Sequence, residues 1–185
     1  ADSAVPAVLC LRDVVGYAET SKEAKEIVKN GDGLRNGERL GDIQEGLGQL
    51  DLVEFPETGE KFRVLKNGKD LDFVPVEEDT VLAKVVDKSV EGDEFVYRLH
   101  NGENYRTGDE FDTRNTLVFG DGVKEVELEE GADALVIKGS HAGETVEVKE
   151  INERGMNPDT ALVENEETFE TQLENLVAVT GLNFR

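Results

Sequence analysis

The chain carries two histidines, one cysteine and no tryptophan, so its options for nucleophilic or metal chemistry are few. His100 and His141 are distant in sequence, and neither lies in a His-x-x-x-His or Cys-x-x-Cys arrangement that would set two ligands on one side of an ion. Cys10 sits in an apolar run without a second thiol, which excludes an internal disulfide and a thiolate cluster. Ser140 precedes His141, yet no Gly-x-Ser-x-Gly turn presents a nucleophile, and no Gly-x-x-x-x-Gly-Lys-Ser/Thr loop cradles nucleotide phosphates. Acids are plentiful, but no stretch has the alternating acids, central Gly and final Glu of a calcium loop. The sequence predicts no enzyme, no cofactor, no metal site and no small-molecule substrate.

Binding needs only exposed donors on rigid elements, and here the residues are more informative. Arg12, a stripe of Lys22, Lys25 and Lys29, and Arg35 and Arg39 around an Asn36-Gly37 turn could converge on a phosphate backbone. Further on, Lys138 and His141 flank a loop whose glycines, Gly139 and Gly143, would let main-chain N–H groups approach a polyanion. Solvated surface is the blander account of each cluster, and the case rests on finding two of them in one small chain.

Net charge argues the other way at ordinary ionic strength. The chain has 42 Asp and Glu against 20 Lys and Arg, a formal net charge of -22 that repels polyanions. At molar salt the Debye length shrinks to about 3 Å, so long-range repulsion is erased while close contacts survive. The acids are dispersed, with 11 in residues 1–55, 15 in 56–120 and 16 in 121–185, set among apolar residues of periodic segments. This pattern describes the surface of a folded protein adapted to high salt rather than a disordered tail. An acidic protein with no nucleic-acid role is the plainer reading of the same charge. No apolar run approaches the roughly 20 residues of a membrane span and no secretory signal is visible, so a soluble, cytoplasmic protein without a membrane partner is expected.

The elements that would position these donors follow from periodicity and punctuation. Pro6 suits the first turn of a short helix that Gly16 stops. Thr20 and Glu23 make a capping box for a second helix that ends at Asn30-Gly31. On that helix Ala24, Ile27 and Val28 share the docking face, and the three lysines share the opposite one. Short strands follow: Gly33-Leu34-Arg35, Glu38-Arg39-Leu40 and a run from Gly48 to Phe55. From residue 56 the helical period disappears, and alternating runs are divided by Asn67-Gly68 and Asn101-Gly102, which favour tight hairpins. The last part reads as a strand Ala134-Leu135-Val136-Ile137-Lys138, the glycine-bounded loop, a strand from Glu144 to Ile151, and a final strand between Asn175 and Thr180. The predicted class is α+β, mainly β, in three modules: residues 1–55, 56–125 and 126–185.

Leu11-Arg12-Asp13-Val14-Val15-Gly16-Tyr17-Ala18, with Ser21-Lys22-Glu23-Ala24-Lys25-Glu26-Ile27-Val28 and Asn36-Gly37, resembles the RNA-binding fold of two helices and a hairpin found in certain ribosomal proteins, pseudouridine synthases and tyrosyl-tRNA synthetases. Gly139-Ser140-His141-Ala142-Gly143-Glu144, within a hydrophobic strand pair, resembles the KOW motif of ribosomal and transcription-elongation proteins. Between them lie a segment running from Pro56 to Leu65 and another, Leu99-His100-Asn101-Gly102. In this order, from about Pro6 to Gly181, the chain is similar to the archaeal and eukaryotic small-subunit ribosomal protein four, e-type, family.

That resemblance implies a non-catalytic protein that binds small-subunit rRNA and packs against neighbouring ribosomal proteins, built from an RNA-binding module, a central β-barrel-like module and a KOW-type small barrel of the SH3-like kind. It implies RNA-facing roles for Arg12, Lys22, Lys25, Arg35 and Arg39, and for Lys138, Ser140 and His141. Two departures stand out: the basic N-terminal extension that the family usually has ahead of the position matching Pro6 is either lacking or simply not included, and Val146 stands where its KOW region often has a further Gly. Two other classes stay open: a free KOW-type RNA-binding regulator or elongation factor, and an RNA-modifying enzyme that uses the first module as a targeting head.

Overall fold

The computed structural model describes residues 5–6, 33–39, 46–56, 59–67 and 70–183. The chain divides into two compact units, residues 1–81 with 183–185 and residues 82–182. Among the described residues nearly all regular structure is β, in three five-stranded sheets and one two-stranded ribbon, with a single 3-10 turn at Leu173–Asn175. The expected helices within residues 7–30 lie outside the described residues. Pro6 was the expected start of the first, and it instead pairs antiparallel with Gly46 in the two-stranded ribbon. A proline's fixed φ and missing N–H suit an edge strand as well as a first helical turn, so its position alone was ambiguous.

In the first unit the sheet runs in the order Glu38–Arg39, Leu34–Arg35, Leu52–Phe55, Glu60–Asn67, Asp70–Pro75, each neighbour antiparallel. The strand expected from Gly48 starts at Leu52. Gln49 and Leu50 form a turn with Leu50 at φ 71, held by Asp51, whose carboxylate accepts the Gly48 N–H at 2.8 Å. Leu50, Leu52, Val53, Phe55, Val64 and Leu65 are buried. Arg63 is buried with them, its guanidinium donating to the Leu50 carbonyl at 3.1 Å and the Thr80 carbonyl at 2.7 Å. Burial pulls its pKa down to about 10, against the favourable charges of Glu78 and Asp51, so it stays charged at neutral pH.

The second unit holds two sheets. One has the order Asn104–Thr107, Glu94–Leu99, Val81–Glu91, Thr116–Gly120, Gly122–Val126, over a core of Ala83, Val85, Tyr97, Leu99 and Leu117. Tyr97 is buried because its hydroxyl is satisfied twice, donating to the Asp109 carbonyl at 2.9 Å and accepting the Phe111 N–H at 2.6 Å. The other sheet has the order Thr168–Gln172, Thr160–Glu164, Thr145–Asn152, Asp133–Val136, Leu176–Ala178, all antiparallel. Its strands alternate: in Thr145–Asn152, Val146 and Val148 face the core with Ala134, Val136, Ala161, Val163, Leu173 and Leu176, while Thr145, Glu147 and Lys149 face solvent.

Two polar ties join these sheets. Lys84 on the long strand is buried, and its ammonium donates to the carbonyls of Leu173, at 2.7 Å, and Leu176. The Thr116 hydroxyl donates to the Ala178 carbonyl at 2.7 Å. Burial is the main cause that brings the Lys84 pKa down to about 7, with Arg114 adding to it and Glu174 opposing it.

Candidate nucleic-acid interface

Asn36 and Gly37 adopt φ 53 and φ 84, the left-handed pair that a two-residue hairpin turn requires. Asn36 also fastens the turn to the neighbouring strand. Its N–H donates to the Leu52 carbonyl at 2.8 Å, its side-chain oxygen accepts the Leu52 N–H at 2.8 Å, and its amide donates to Asp51 at 3.1 Å. This positions Arg35, half-buried, on the strand before the turn and the backbone of Arg39 on the strand after it. Arg12, Lys22, Lys25 and Lys29 lie outside the described residues, so the convergence of the first cluster rests on the sequence.

The second cluster is described throughout. The strand Asp133–Val136 ends, and residues 137–144 form the loop before Thr145–Asn152. Gly139 and Gly143 have φ 89 and φ 96, which side chains adopt at a cost, so both glycines serve the loop's shape. The loop closes on itself: Gly143 N–H donates to the Val136 carbonyl at 2.7 Å, Glu144 N–H to the His141 carbonyl at 3.1 Å, and buried Ala142 N–H to the Gly139 carbonyl at 3.2 Å. The main-chain N–H groups of Lys138, Gly139, Ser140 and His141 take no acceptor among the described residues. Lys138, Gly139 and Ser140 are exposed. The loop therefore offers main-chain donors and an ammonium to an incoming anion.

His141 has a different environment. Its ring stacks on Phe169 at 3.7 Å between centroids and 11° between planes, its Nδ1 is 2.8 Å from Glu144 Oε2, and Glu167 Oε1 lies 3.5 Å away. Two carboxylates beside the imidazole weaken its attraction for phosphate and fix its orientation. Glu144 is held in turn by the Asn165 amide at 2.9 Å, which with His141 lowers its pKa.

Among the described residues six other cations are committed to ion pairs. Lys88 pairs with Glu110 at 2.8 Å, Arg106 with Glu91 at 2.6 Å, Arg114 with Asp159 at 2.8 Å, Lys149 with Glu147 at 3.3 Å and Arg154 with Glu170 at 3.0 Å; Lys61 pairs with Asp79. Lys138 has no ion pair among the described residues, and the same holds for Lys66, Arg98 and Lys124. Sequence reasoning missed Arg98 and Lys124, both exposed on strands of the middle sheet, because strand alternation marks a residue as outward without saying whether a carboxylate sits opposite.

No family model matches the chain. It is similar over its whole length, at a TM-score of 0.80 and 22% identity with 100% of both chains covered, to the crystal structure of the 30S ribosomal protein S4e from Thermoplasma acidophilum, a likeness of fold. Relatives named small ribosomal subunit protein eS4 are found in Haloarcula marismortui, 34% identical over 99% of this chain and 84% of the relative, and in Methanothermobacter thermautotrophicus, 30% identical over 97% and 79%. That of Halorubrum lacusprofundi is 36% identical over 191 residues, 96% of this chain and 80% of the relative. With identity of this extent spread across nearly the whole sequence, the chain belongs to the small ribosomal subunit protein eS4 family.

Proposed function

We infer that this chain is a structural constituent of the small ribosomal subunit, bound to its rRNA and to neighbouring ribosomal proteins, supporting translation without catalysis. The observation that carries the reading is the loop at 137–144, where Lys138 has no ion pair and the main-chain N–H groups that follow take no acceptor among the described residues. A phosphate oxygen satisfies both kinds of donor at once. In this reading the first part of the chain is a two-helix-plus-hairpin RNA-binding module whose sheet continues through the pairing of Leu52–Phe55 with Glu60–Asn67, the middle is a central β-barrel-like domain, and the last part is a KOW domain of the small-barrel kind. Arg12, Lys22, Lys25, Lys29, Arg35 and Arg39 contact RNA in the first, and Lys138, Ser140 and His141 in the last. Sedimentation of source-cell extracts in molar potassium chloride tests it: the chain should run with the small subunit, and recovery mainly in light fractions would make it a free RNA-binding regulator instead.

The charge fits the same setting. Acidic neighbours crowd one another on this surface: Glu127 has its pKa raised by a hydrogen bond with Glu129 and by the charges of Glu129, Glu125 and Asp112. Molar salt screens that repulsion, and low salt restores it. Dialysis to low salt should remove strand signal from the circular dichroism spectrum, and an unchanged spectrum would rule out salt adaptation.

A further inference from the structure

Beyond any RNA contact, the hairpin turn at 165–167 and the loop at 137–144 bring together His141, Glu144 and Glu167, each offering one ligand atom, with all three atoms within 4.8 Å of one another. We propose that these side chains form a site for a zinc-type divalent cation, bound through His141 Nδ1 and one oxygen from each glutamate, with a fourth position open to water or an anion. Ligands about 2.1 Å from a tetrahedral zinc ion stand about 3.4 Å apart. The distances from His141 Nδ1 to Glu144 Oε2, 2.8 Å, and to Glu167 Oε1, 3.5 Å, bracket that edge.

The surroundings hold the ligands in place. Phe169 fixes the plane of the imidazole by stacking, and Asn165 binds Glu144 Oε1, leaving Oε2 directed at His141. Asn165 is itself set by the turn: its N–H donates to the Glu167 carbonyl at 2.9 Å and its side-chain oxygen accepts the Glu167 N–H at 3.1 Å. One nitrogen and two carboxylate oxygens suit a borderline cation, whereas magnesium favours an octahedron of oxygens. The ion would also cancel two negative charges on a surface where carboxylates are in excess.

The chain's two histidines provide the test, since His100 Nδ1 already accepts the Lys84 N–H at 2.9 Å and serves as an internal control. The full chain in molar potassium chloride is titrated with zinc chloride, and separately with magnesium chloride, while the imidazole resonances are followed by NMR. Zinc should move the His141 resonances, saturating near one equivalent, and leave those of His100 in place; magnesium should move neither. Glu167→Gln and Glu144→Gln should each raise the zinc midpoint about tenfold or more, with the backbone spectrum verifying that each variant is folded. Static His141 resonances, or midpoints unchanged in both folded variants, would overturn the proposal.

Discussion

Lys84 and Lys138 are the same kind of side chain in opposite circumstances within one unit of the molecule. Lys84 is buried between two sheets and donates to the carbonyls of Leu173 and Leu176; Lys138 stands exposed at the start of a loop with no carboxylate partner among the described residues. One holds the unit together and the other is available to a ligand. In so acidic a protein a cation's role is set by which acceptors reach it, because many surface cations meet a carboxylate. The ion pairs of Lys88, Arg106, Arg114, Lys149 and Arg154 show the usual outcome, and the loop at 137–144 departs from it.

The largest effect that separates the two lysines should be on stability. Lys84→Met takes the ammonium from the Leu176 carbonyl and from the Leu173 carbonyl, which keeps the Leu176 N–H, and should lower the unfolding free energy by about 2 kcal/mol at pH 8, read from urea denaturation. The pH dependence is the sharper signature. Folded Lys84 releases its proton near pH 7, whereas the unfolded side chain keeps it to about 10.5, so between those values the unfolded state binds more protons. Wild-type stability should therefore climb with pH across that window, by at most about 1.4 kcal/mol per unit, and Lys84→Met should lack this contribution. Parallel pH profiles for the two proteins would remove Lys84 from the titration.

Lys138→Glu should do the reverse. Stability should change by less than about 0.5 kcal/mol, while affinity for small-subunit rRNA falls about tenfold and the slope of log affinity against log salt drops by about one. If Lys138→Glu destabilised the fold as Lys84→Met does, the contrast between a structural and a ligand-facing cation would collapse. The smallest effect concerns surface lysines: charge reversal of Lys25 should weaken rRNA binding several-fold more than reversal of Lys149, which already pairs with Glu147. Equal losses in a binding titration would remove the lysine stripe at 22, 25 and 29 from the interface.

How much of this was legible depends on how local the signal was. Asn36-Gly37 was readable because a two-residue sequence dictates the backbone of the turn; at Asn101-Gly102 the hairpin was legible but not its turn, since only Gly102 is left-handed, at φ 89, in a loop closed by Leu99 N–H on the Glu103 carbonyl. The strands around the glycine-bounded loop were readable from alternation, and the pairing of Leu176–Ala178 with Asp133–Val136 matches the final strand expected there. Lys84 was invisible. It sits in a strand whose residues 82–85 are buried on both faces, so alternation would place it outward while a second sheet covers it. His141 was recognised in its loop, but its partners Glu167 and Phe169 come from a hairpin more than twenty residues away, and no spacing rule links them. Cations were legible as positions and not as free or paired, because pairing depends on which carboxylate faces them across a sheet or loop.

The most direct test is a structure of the small subunit carrying this chain, determined in molar potassium chloride. In it, rRNA phosphate oxygens should lie about 3 Å from main-chain N–H groups of residues 138–141, with the Lys138 ammonium on the same strand. A loop turned to solvent, or covered only by protein, would contradict this placement.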